Sequence, residues 1–278
     1  MWIPVGNGIK KSDGTIVDIT LGRYTFANGT SDKDTKGNVL AKGTPILKQD
    51  AVNYTQEVEI TYNGFKYKEL STSRIGTVDS SNRLNDTNTT ALNLKGFVDS
   101  VKANGGYYIA RYEASYGTDG KANSKVSDSY TTSMSTPNKE GKLWNYITQI
   151  NAATASRNLY TGVNSDLINS YAWDTAIVYI QNYSGDTDYS KQDGKSINSS
   201  LTNTGVNSDE KCKINDMASN TREWTTEYCT SAHSSIAYPC TSRGGGYNGS
   251  SYCTDYRNFL IRTTDSPDYI SFRCALYM

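Results

Sequence analysis

The sequence has a single histidine, no excess charge of either sign and no long apolar run. Lys plus Arg and Asp plus Glu each total 28, so the chain lacks the positive excess that binds nucleic acid or an anionic membrane surface. No stretch approaches the roughly 18 apolar residues of a membrane helix, and we expect no membrane insertion. One histidine and no Cys-x-x-Cys spacing argue against a zinc site and against a Ser/His/Asp catalytic set around His233.

Cysteine is scarce and unevenly placed, because all five cysteines lie between residues 212 and 274. An odd number leaves at least one thiol free or paired between chains. Cys229 and Cys240 flank a short loop rich in Ser and Ala, and they are the first candidates for a bridge. The first residues show neither the basic nor the apolar segment of a secretory signal.

Tyrosine is the strongest positive deviation, with 22 copies among many Ser, Asn, Thr and Gly residues. This mixture gives amphipathic contact area and adaptable hydrogen bonds, which suits a ligand-binding surface. The same composition is also typical of extracellular or phage β-structure, in which tyrosines pack on partly solvent-exposed sheet faces. Composition alone leaves both interpretations open.

The hydrophobic pattern predicts a mixed α+β chain. Residues 15–20 and 57–62 alternate like strands, and the segment up to about residue 83 reads as short strands and turns. Residues 93–103 carry apolar side chains at helical spacing, followed by an Asn-Gly-Gly C-cap at 104–106. We expect a strand at 107–114.

Two further helices are expected at about 144–159 and 165–180. The segments 117–142 and 183–210 are polar and rich in Gly and Ser, so they read as loops.

Three C-terminal blocks resemble the signature of the formylglycine-generating enzyme (sulfatase-modifying factor) family. Residues 216–224 read DMASNTREW, residues 243–247 read RGGGY, and residues 272–275 read FRCA. The family shows an acidic or amide residue, a Gly-Asn pair, a Glu-Trp pair, an Arg-Gly-Gly turn and a closing Phe-Arg strand in this order. Weaker similarity lies at 107–114, which resembles a Tyr-Glu strand, and around Trp173 and Asp174, which resemble a Glu-Trp-Glu helix.

The resemblance implies a variant of the C-type lectin fold, irregular and loop-rich. Residues 2–5 look like its opening strand. The chain then divides into residues 1–90, an opening strand plus a β-rich insertion or small subdomain, and residues 91–278, the lectin-like domain. Trp224, Phe272 and the Gly244-Gly245 pair read as core and turn residues, because glycine permits a positive φ where backbones approach closely.

The family's enzymes use two close thiolates to bind copper, and this chain keeps only one of those cysteines. Ser-Tyr-Cys at 251–253 and Tyr-Arg at 256–257 are retained, but Asn248 or Gly249 stands at the first thiol position. One thiolate cannot give the two-thiolate coordination that Cu(I) selects. We therefore expect no copper and no enzymatic activity. The alternative is a copper-dependent oxidase that uses Cys253 and recruits another thiol.

The first block implies a structural calcium site, since the matching positions in the enzymes hold calcium through carboxylates and backbone carbonyls. Calcium takes six to eight oxygen ligands. The expected ligands here are Asp216, Ser219, Thr221 and Glu223. The competing interpretation is that Asp216 caps the turn and Glu223 pairs with an arginine such as Arg243.

Two further loops remain, at residues 247–257 and 228–242. The resemblance implies that they lie on the face that holds the active site of the enzymes. In retroelement-diversified phage and bacterial proteins with this fold, the same face is the variable ligand-binding surface. The resemblance implies a non-enzymatic recognition module on a virion or bacterial cell surface, with a protein or carbohydrate receptor as partner. A purely structural virion protein is a further alternative. The expected ligand contacts are Tyr247, Asn248, Ser250, Ser251, Tyr252, Thr254, Asp255, Tyr228 and Tyr238.

Overall fold

A computed structural model of the chain describes residues 1–50, 58–69, 94–130, 140–229, 240–261 and 265–278. Strands and helices are mixed along these ranges, as the predicted α+β class requires. The helices are α1 (Leu94–Asn104), α2 (Gln149–Arg157), α3 (Ser170–Ser184) and α4 (Gly194–Ile197), with a 3₁₀ turn at Tyr189–Lys191. The first strands are β1 (Trp2–Pro4), β2 (Gly6–Lys10), β3 (Ile16–Ile19), β4 (Gly22–Phe26), β5 (Pro45–Asp50), β6 (Val58–Tyr62), β7 (Phe65–Glu69), β8 (Gly106–Ile109) and β9 (Ser115–Tyr116). The others are β10 (Ala122–Asn123), β11 (Ser129–Tyr130), β12 (Lys142–Leu143), β13 (Asn164–Leu167), β14 (Arg222–Cys229), β15 (Cys240–Arg243), β16 (Arg257–Ile261), β17 (Ile270–Phe272) and β18 (Cys274–Tyr277).

The predicted helix at 93–103 is confirmed as α1. Its buried stripe includes Leu94, Phe97, Val98 and Val101, at the spacing that places side chains on one helix face. The helix stops where Gly105 adopts a φ of 71°, a left-handed conformation that glycine reaches without a steric penalty. The predicted C-cap is therefore also confirmed.

The other two predicted helices exist but begin later than expected. Helix α2 starts at Gln149 because the Thr148 side chain accepts from the Asn151 amide at 3.3 Å and caps it. Helix α3 starts at Ser170 because β13 occupies Asn164–Leu167 and Asn169 caps the helix. Nearly all of α3 is buried, so it is the central helix of the molecule.

Two larger sheets surround this helix. The first has the order β1-β8-β18-β13, so the predicted opening strand lies in the same sheet as the last strand. The second has the order β16-β15-β14-β7-β6, with β17 pairing parallel to β14. The predicted strand at 107–114 is shorter than expected, since β8 ends at Ile109. Short strands β9 to β12 form a small sheet inside the predicted loop 117–142 and beside it.

Several elements of the described part of residues 1–90 contact the rest of the chain, and β1 pairs with β8. Strand β4 lies against α3. Strand β7 pairs with β14, with Tyr67 opposite Cys229. Glu69 at the end of β7 accepts from the Ser170 amide at 2.9 Å, at the start of α3. The predicted domain boundary near residue 90 lies outside the described residues.

None of the five cysteines forms a disulfide, and the predicted bridge between Cys229 and Cys240 is wrong. Cys240 faces Tyr228 across the β14–β15 pair, so Cys229 points to the other side of the sheet. Cys229 lies in an apolar cluster with Ile60 and Tyr67, whereas Cys240 belongs to the cluster around Trp224. Within the described ranges no helix is both long and apolar enough to span a membrane.

A network of five fully buried charges ties the elements together. Asp174 on α3 accepts from Arg257 at 2.6 Å and from Arg243. Glu227 on β14 pairs with Arg23 of β4 and, at 3.1 Å, with Arg257. All five side chains have no exposed surface. We call this set, Arg23, Asp174, Glu227, Arg243 and Arg257, the arginine network.

The arginine network carries three positive and two negative charges, so each carboxylate is shared. Burial acts to raise the pKa of Glu227, but the guanidinium groups of Arg257, Arg23 and Arg243 lower it to about 2. The carboxylate therefore stays ionised at all physiological pH values. Removing one member leaves its partners charged in a site that excludes water.

We expect Glu227→Gln to lower the free energy of unfolding by about 3 to 5 kcal/mol, because three guanidinium groups would then share one carboxylate. Urea denaturation at pH 7 measures this loss.

A matched control is Asp99→Asn, which removes the exposed Lys95–Asp99 pair one helical turn apart on α1. Such surface pairs contribute less than about 0.5 kcal/mol. Equal effects of the two substitutions would contradict a structural role for the arginine network.

Candidate functional site

The first of the three C-terminal blocks is organised around buried carboxylates. Asp216, at a positive φ of 63°, accepts from the Thr204 hydroxyl at 2.7 Å and from the Gly205 amide at 2.5 Å. Its other oxygen accepts from the Asn207 side chain at 3.0 Å. Asp216 thus fastens the segment 204–207 to the loop that precedes β14.

Glu223 on β14 forms a buried ion pair with Arg273, the residue between β17 and β18. Its Oε2 accepts from Arg273 Nε at 2.6 Å, and its Oε1 accepts from the same guanidinium. Arg273 also donates to the carbonyls of Ala110 and Asn215, at 3.1 and 2.9 Å. The predicted pairing of Glu223 with an arginine is found, but the arginine is Arg273 and not Arg243.

Two further carboxylates fix the loop backbone. Glu113 accepts from the Thr221 amide at 3.0 Å and from the Asn220 side chain at 2.6 Å. Asp209 accepts from the Asp216 amide at 3.1 Å and from the Ser219 hydroxyl at 2.8 Å. We call Glu113, Asp209, Asp216, Glu223 and Arg273 the acidic network.

The two carboxylates predicted to bind calcium are already engaged by protein donors. Both oxygens of Asp216 face protein donors, and both oxygens of Glu223 face Arg273. The hydroxyls of Ser219 and Thr221, whose backbone carbonyls are the other expected ligands, donate to Asp209 and Glu113. Because calcium needs several oxygens turned toward one point, the two carboxylates would have to give up these contacts to bind it.

Burial and the charges of neighbouring carboxylates raise the pKa values of Glu113, Asp216 and Glu223. Burial, and then Asp209, raise the pKa of Asp216 to about 6. Burial raises the pKa of Glu113 well above its usual range, and the charges of Asp216 and Glu223 add to this effect. Burial also raises the pKa of Glu223, although Arg273 opposes the shift. The network is therefore less negative at neutral pH than four free carboxylates.

The glycine turn at residues 244–246 lies against the loop of the first block. Gly244 has a φ of 87°, and a Cβ added at Gly245 would lie 1.8 Å from the Ala218 carbonyl oxygen. The Tyr247 amide then donates to the Asn220 carbonyl at 2.9 Å. The predicted turn role of the two glycines and the predicted core positions of Trp224 and Phe272, both fully buried, are confirmed.

The chain after this turn forms a loop with a fixed backbone and an exposed tip. Gly194 donates to the Tyr252 carbonyl at 3.0 Å, and Asp255 donates to the Ser190 carbonyl at 3.0 Å. Between the Tyr247 anchor described above and these two anchors, the predicted ligand residues Asn248, Ser250 and Ser251 are exposed. We call residues 247–252 the tyrosine loop.

Tyr247 and Tyr252 border this tip, and both are half-buried. The Tyr247 hydroxyl donates to Asp268 at 3.0 Å. The Tyr252 ring packs on Tyr256, with ring centroids 4.6 Å apart. Each ring is therefore held in place while part of it faces solvent.

Two of the predicted ligand contacts are wrong, because Thr254 and Asp255 are fully buried. The Thr254 hydroxyl donates to the Tyr189 carbonyl at 2.7 Å. Asp255 forms a buried ion pair with Lys191. These two residues anchor the end of the tyrosine loop.

The other two predicted contacts are Tyr228 and Tyr238. Tyr228 lies at the far end of β14, about 20 Å from Arg222 at roughly 3.3 Å per residue. Tyr238 lies outside the described residues, as does His233.

Cys253 follows the tyrosine loop directly and is half-buried. Its Sγ lies 3.3 Å from Oδ1 of Asp255. Burial, and then the charge of Asp255, raise the pKa of the Cys253 thiol to about 12. The sulfur is therefore protonated at neutral pH, whereas the thiolate is the nucleophile and the metal ligand.

The sequence analysis missed Arg222, which lies between two tyrosine rings. Its guanidinium carbon is 4.7 Å from the centroid of Tyr252 and 4.5 Å from that of Tyr269. Arg222 is 3% exposed, and its Nε and Nη1 have no hydrogen-bond partner among the described residues, although the guanidinium forms a side-chain hydrogen bond with Tyr269. One sequence signal could have indicated that Arg222 differs from its neighbour. Adjacent residues of a strand point to opposite faces of the sheet, so Arg222 cannot share the surroundings of Glu223.

The grooves of the described surface lie elsewhere. A groove of about 560 Å³ is lined by residues that include Lys121, Trp144, Arg157 and Tyr160. None of the predicted ligand residues lines it. The tyrosine loop offers an aromatic surface rather than a deep cavity.

Comparison of the chain with models of known protein families, with characterised proteins and with solved structures finds no match.

The acidic network predicts a pH dependence of stability. The pKa of Asp216 is higher in the folded chain than the ordinary 3.8, so the folded state binds a proton that the unfolded state has lost. The free energy of unfolding should be highest below about pH 4 for this group and should fall by roughly 2 to 3 kcal/mol as pH rises through 6.

Denaturation of wild type and Asp216→Asn between pH 4 and 7 measures this effect. The variant should show a shallower slope across the window. Identical slopes would contradict a raised pKa at Asp216. Glu227 does not disturb the comparison, because its stabilising charge is lost only as pH falls from 4.5 toward about 2.

Calcium removal gives a separate prediction. Because the oxygens of Asp216 and Glu223 are engaged, we expect 1 mM calcium and excess chelator to give the same Tm within about 1 °C. A calcium ion whose Kd is a hundredfold below the calcium concentration would add about 2.7 kcal/mol to the free energy of unfolding. A Tm rise with calcium that Asp216→Asn abolishes would restore the predicted calcium site.

Proposed function

We propose that the chain is a non-enzymatic ligand- or receptor-binding protein on a C-type lectin-like scaffold of the formylglycine-generating-enzyme type. The observation that carries this proposal is the tyrosine loop, whose backbone is anchored at both ends while Asn248, Ser250 and Ser251 are exposed between half-buried tyrosines. Rigid aromatic side chains beside small polar ones bind a partner at low cost in conformational entropy.

The connections between the resembling motifs support the scaffold. The Glu-Trp block and the closing Phe-Arg strand are joined by the Glu223–Arg273 pair. Glu113 of the Tyr-Glu segment accepts from Thr221 of the first block. Asp174 of the helix pairs with Arg243 of the glycine turn. Motifs that are far apart in sequence are thus held together by buried charges.

The state of Cys253 supports a binding role over the alternative oxidase role. A copper oxidase needs thiolate sulfur, and the pKa of this thiol is raised to about 12. The neighbouring carboxylate of Asp255 opposes a second negative charge at this position. Nothing in the described geometry favours the oxidase over the binding protein.

The partner in this proposal is a protein or carbohydrate receptor on a cell surface. The chain would act on a virion or a bacterial surface, in the manner of the retroelement-diversified recognition proteins. Partly exposed tyrosine rings suit sugar rings, and the amide and hydroxyl side chains of the loop tip suit their hydroxyl groups.

The test is binding of the intact protein to a glycan array and to bacterial cells. Tyr247→Ala and Tyr252→Ala should each weaken binding at least about tenfold, because each removes a rigid aromatic contact. The Tm should change little, since both rings lie at the surface.

Tyr160→Ala is the matched control, because Tyr160 is 55% exposed and lines the separate groove. Binding lost only in Tyr160→Ala would place the site in that groove. Copper-dependent oxygen uptake with a cysteine peptide, abolished by Cys253→Ser, would replace the binding role with the oxidase.

A further inference from the structure

Arg222 differs from the other buried arginines of the core in the charged groups that surround it. Arg23, Arg243, Arg257 and Arg273 each pair with at least one carboxylate. Arg222 forms no ion pair within the described ranges, and its Nε and Nη1 lack acceptors. A buried guanidinium without a counter-ion is costly for folding, so a partner from outside the chain is the natural acceptor.

The surroundings of Arg222 are aromatic. Tyr252 and Tyr269 stack on its two sides, and Tyr256 packs on Tyr252. Burial lowers the pKa of Arg222, and the groups that oppose this shift are the three tyrosines. The tyrosine faces stabilise the cation only partly, because they offer no lone pair to Nε or Nη1.

The position of Arg222 connects it to the surface. Tyr252 and Tyr269 are both half-buried, so the guanidinium lies one aromatic ring below solvent. The Tyr252 ring belongs to the tyrosine loop, with the exposed Ser250 and Ser251 directly before it. A ligand on this loop would have to enter beside the Tyr252 ring to reach the cation.

We propose that the tyrosine loop binds a carboxylate-bearing saccharide, with the ligand carboxylate accepting from Arg222 and its sugar ring packing on Tyr252 or Tyr269. The proposal rests on the binding role proposed above and names its ligand class. Guanidinium groups bind carboxylates through charge-assisted hydrogen bonds, which strengthen where water is excluded. A sugar, rather than an acidic peptide, suits the combination of aromatic faces with the hydroxyl and amide groups of the loop tip.

The test uses pairs of probes that differ only in charge. The probes are an oligogalacturonide and the same oligomer with its carboxyls reduced to alcohols, and sialyllactose and the same trisaccharide with its carboxyl reduced to an alcohol. Calorimetry should show at least one acidic probe binding about 10- to 100-fold more tightly than its neutral partner, as expected for a charged hydrogen bond. The preference should shrink as salt is raised.

Arg222→Met is the decisive variant, because methionine keeps an apolar chain of similar length and removes the charge. It should abolish the preference for the acidic probe and leave the Tm unchanged or higher, since no ion pair is lost. Arg222→Lys keeps the positive charge but lacks the planar guanidinium that binds a carboxylate through two hydrogen bonds. It should therefore keep part of the preference that Arg222→Met loses.

The outcomes separate the two proposals. Suppose that acidic and neutral probes bind equally, and that this binding is lost in Tyr252→Ala but kept in Arg222→Met. This result would support the binding role and contradict an acidic ligand. A large drop in Tm for Arg222→Met would show that this cation is structural, which also overturns it. Both proposals would be contradicted if no probe bound and if Tyr252→Ala bound bacterial cells and the glycan array as well as the wild-type protein does.

Discussion

Buried charge is the constraint on which the rest of this structure depends. Most of the core is apolar, but the contacts that fix the order of its elements are ionic: Asp174 on the central helix and Glu227 on β14 share three arginines from β4, β15 and β16. Apolar contacts tolerate small shifts, whereas a buried ion pair loses most of its energy when its geometry changes. The arginine network therefore selects one arrangement of helix and sheet, and Arg23 brings the N-terminal region into it.

The acidic network has a different role, because it has more acids than bases. Glu113, Asp209 and Asp216 accept from backbone amides and hydroxyls in and beside the loop before β14, whereas Glu223 pairs with Arg273. Carboxylates are strong acceptors, so they can fix an irregular loop that has no ladder hydrogen bonds. Raised pKa values reduce the repulsion among them. The loop thereby becomes a rigid base for the glycine turn and the tyrosine loop above it.

This arrangement separates the scaffold from the proposed binding surface. The resembling motifs supply buried side chains, and the residues at the tip of the tyrosine loop contribute little to the core. Changes at the tip can therefore alter a ligand without cost to the fold, which suits a recognition module. Arg222 stands at the boundary: it lies within the first motif, yet its guanidinium faces the tyrosines and not the ionic networks. It is the point at which a ligand would contact the scaffold itself.

Local periodicity and the backbone freedom of glycine are enough to predict the mixed class and the amphipathic helix α1 with its glycine cap. The opening strand and the buried glycine turn are expected from the resemblance to a known family. The sequence could not place helix starts that depend on caps and on strand β13, or recognise that Thr254 and Asp255 point inward. Tertiary structure alone decided which arginine meets which acid, since Glu223 and Arg273 are 50 residues apart. It also left Arg222 unpaired, because pairing depends on which faces of distant strands meet, and no local pattern encodes that.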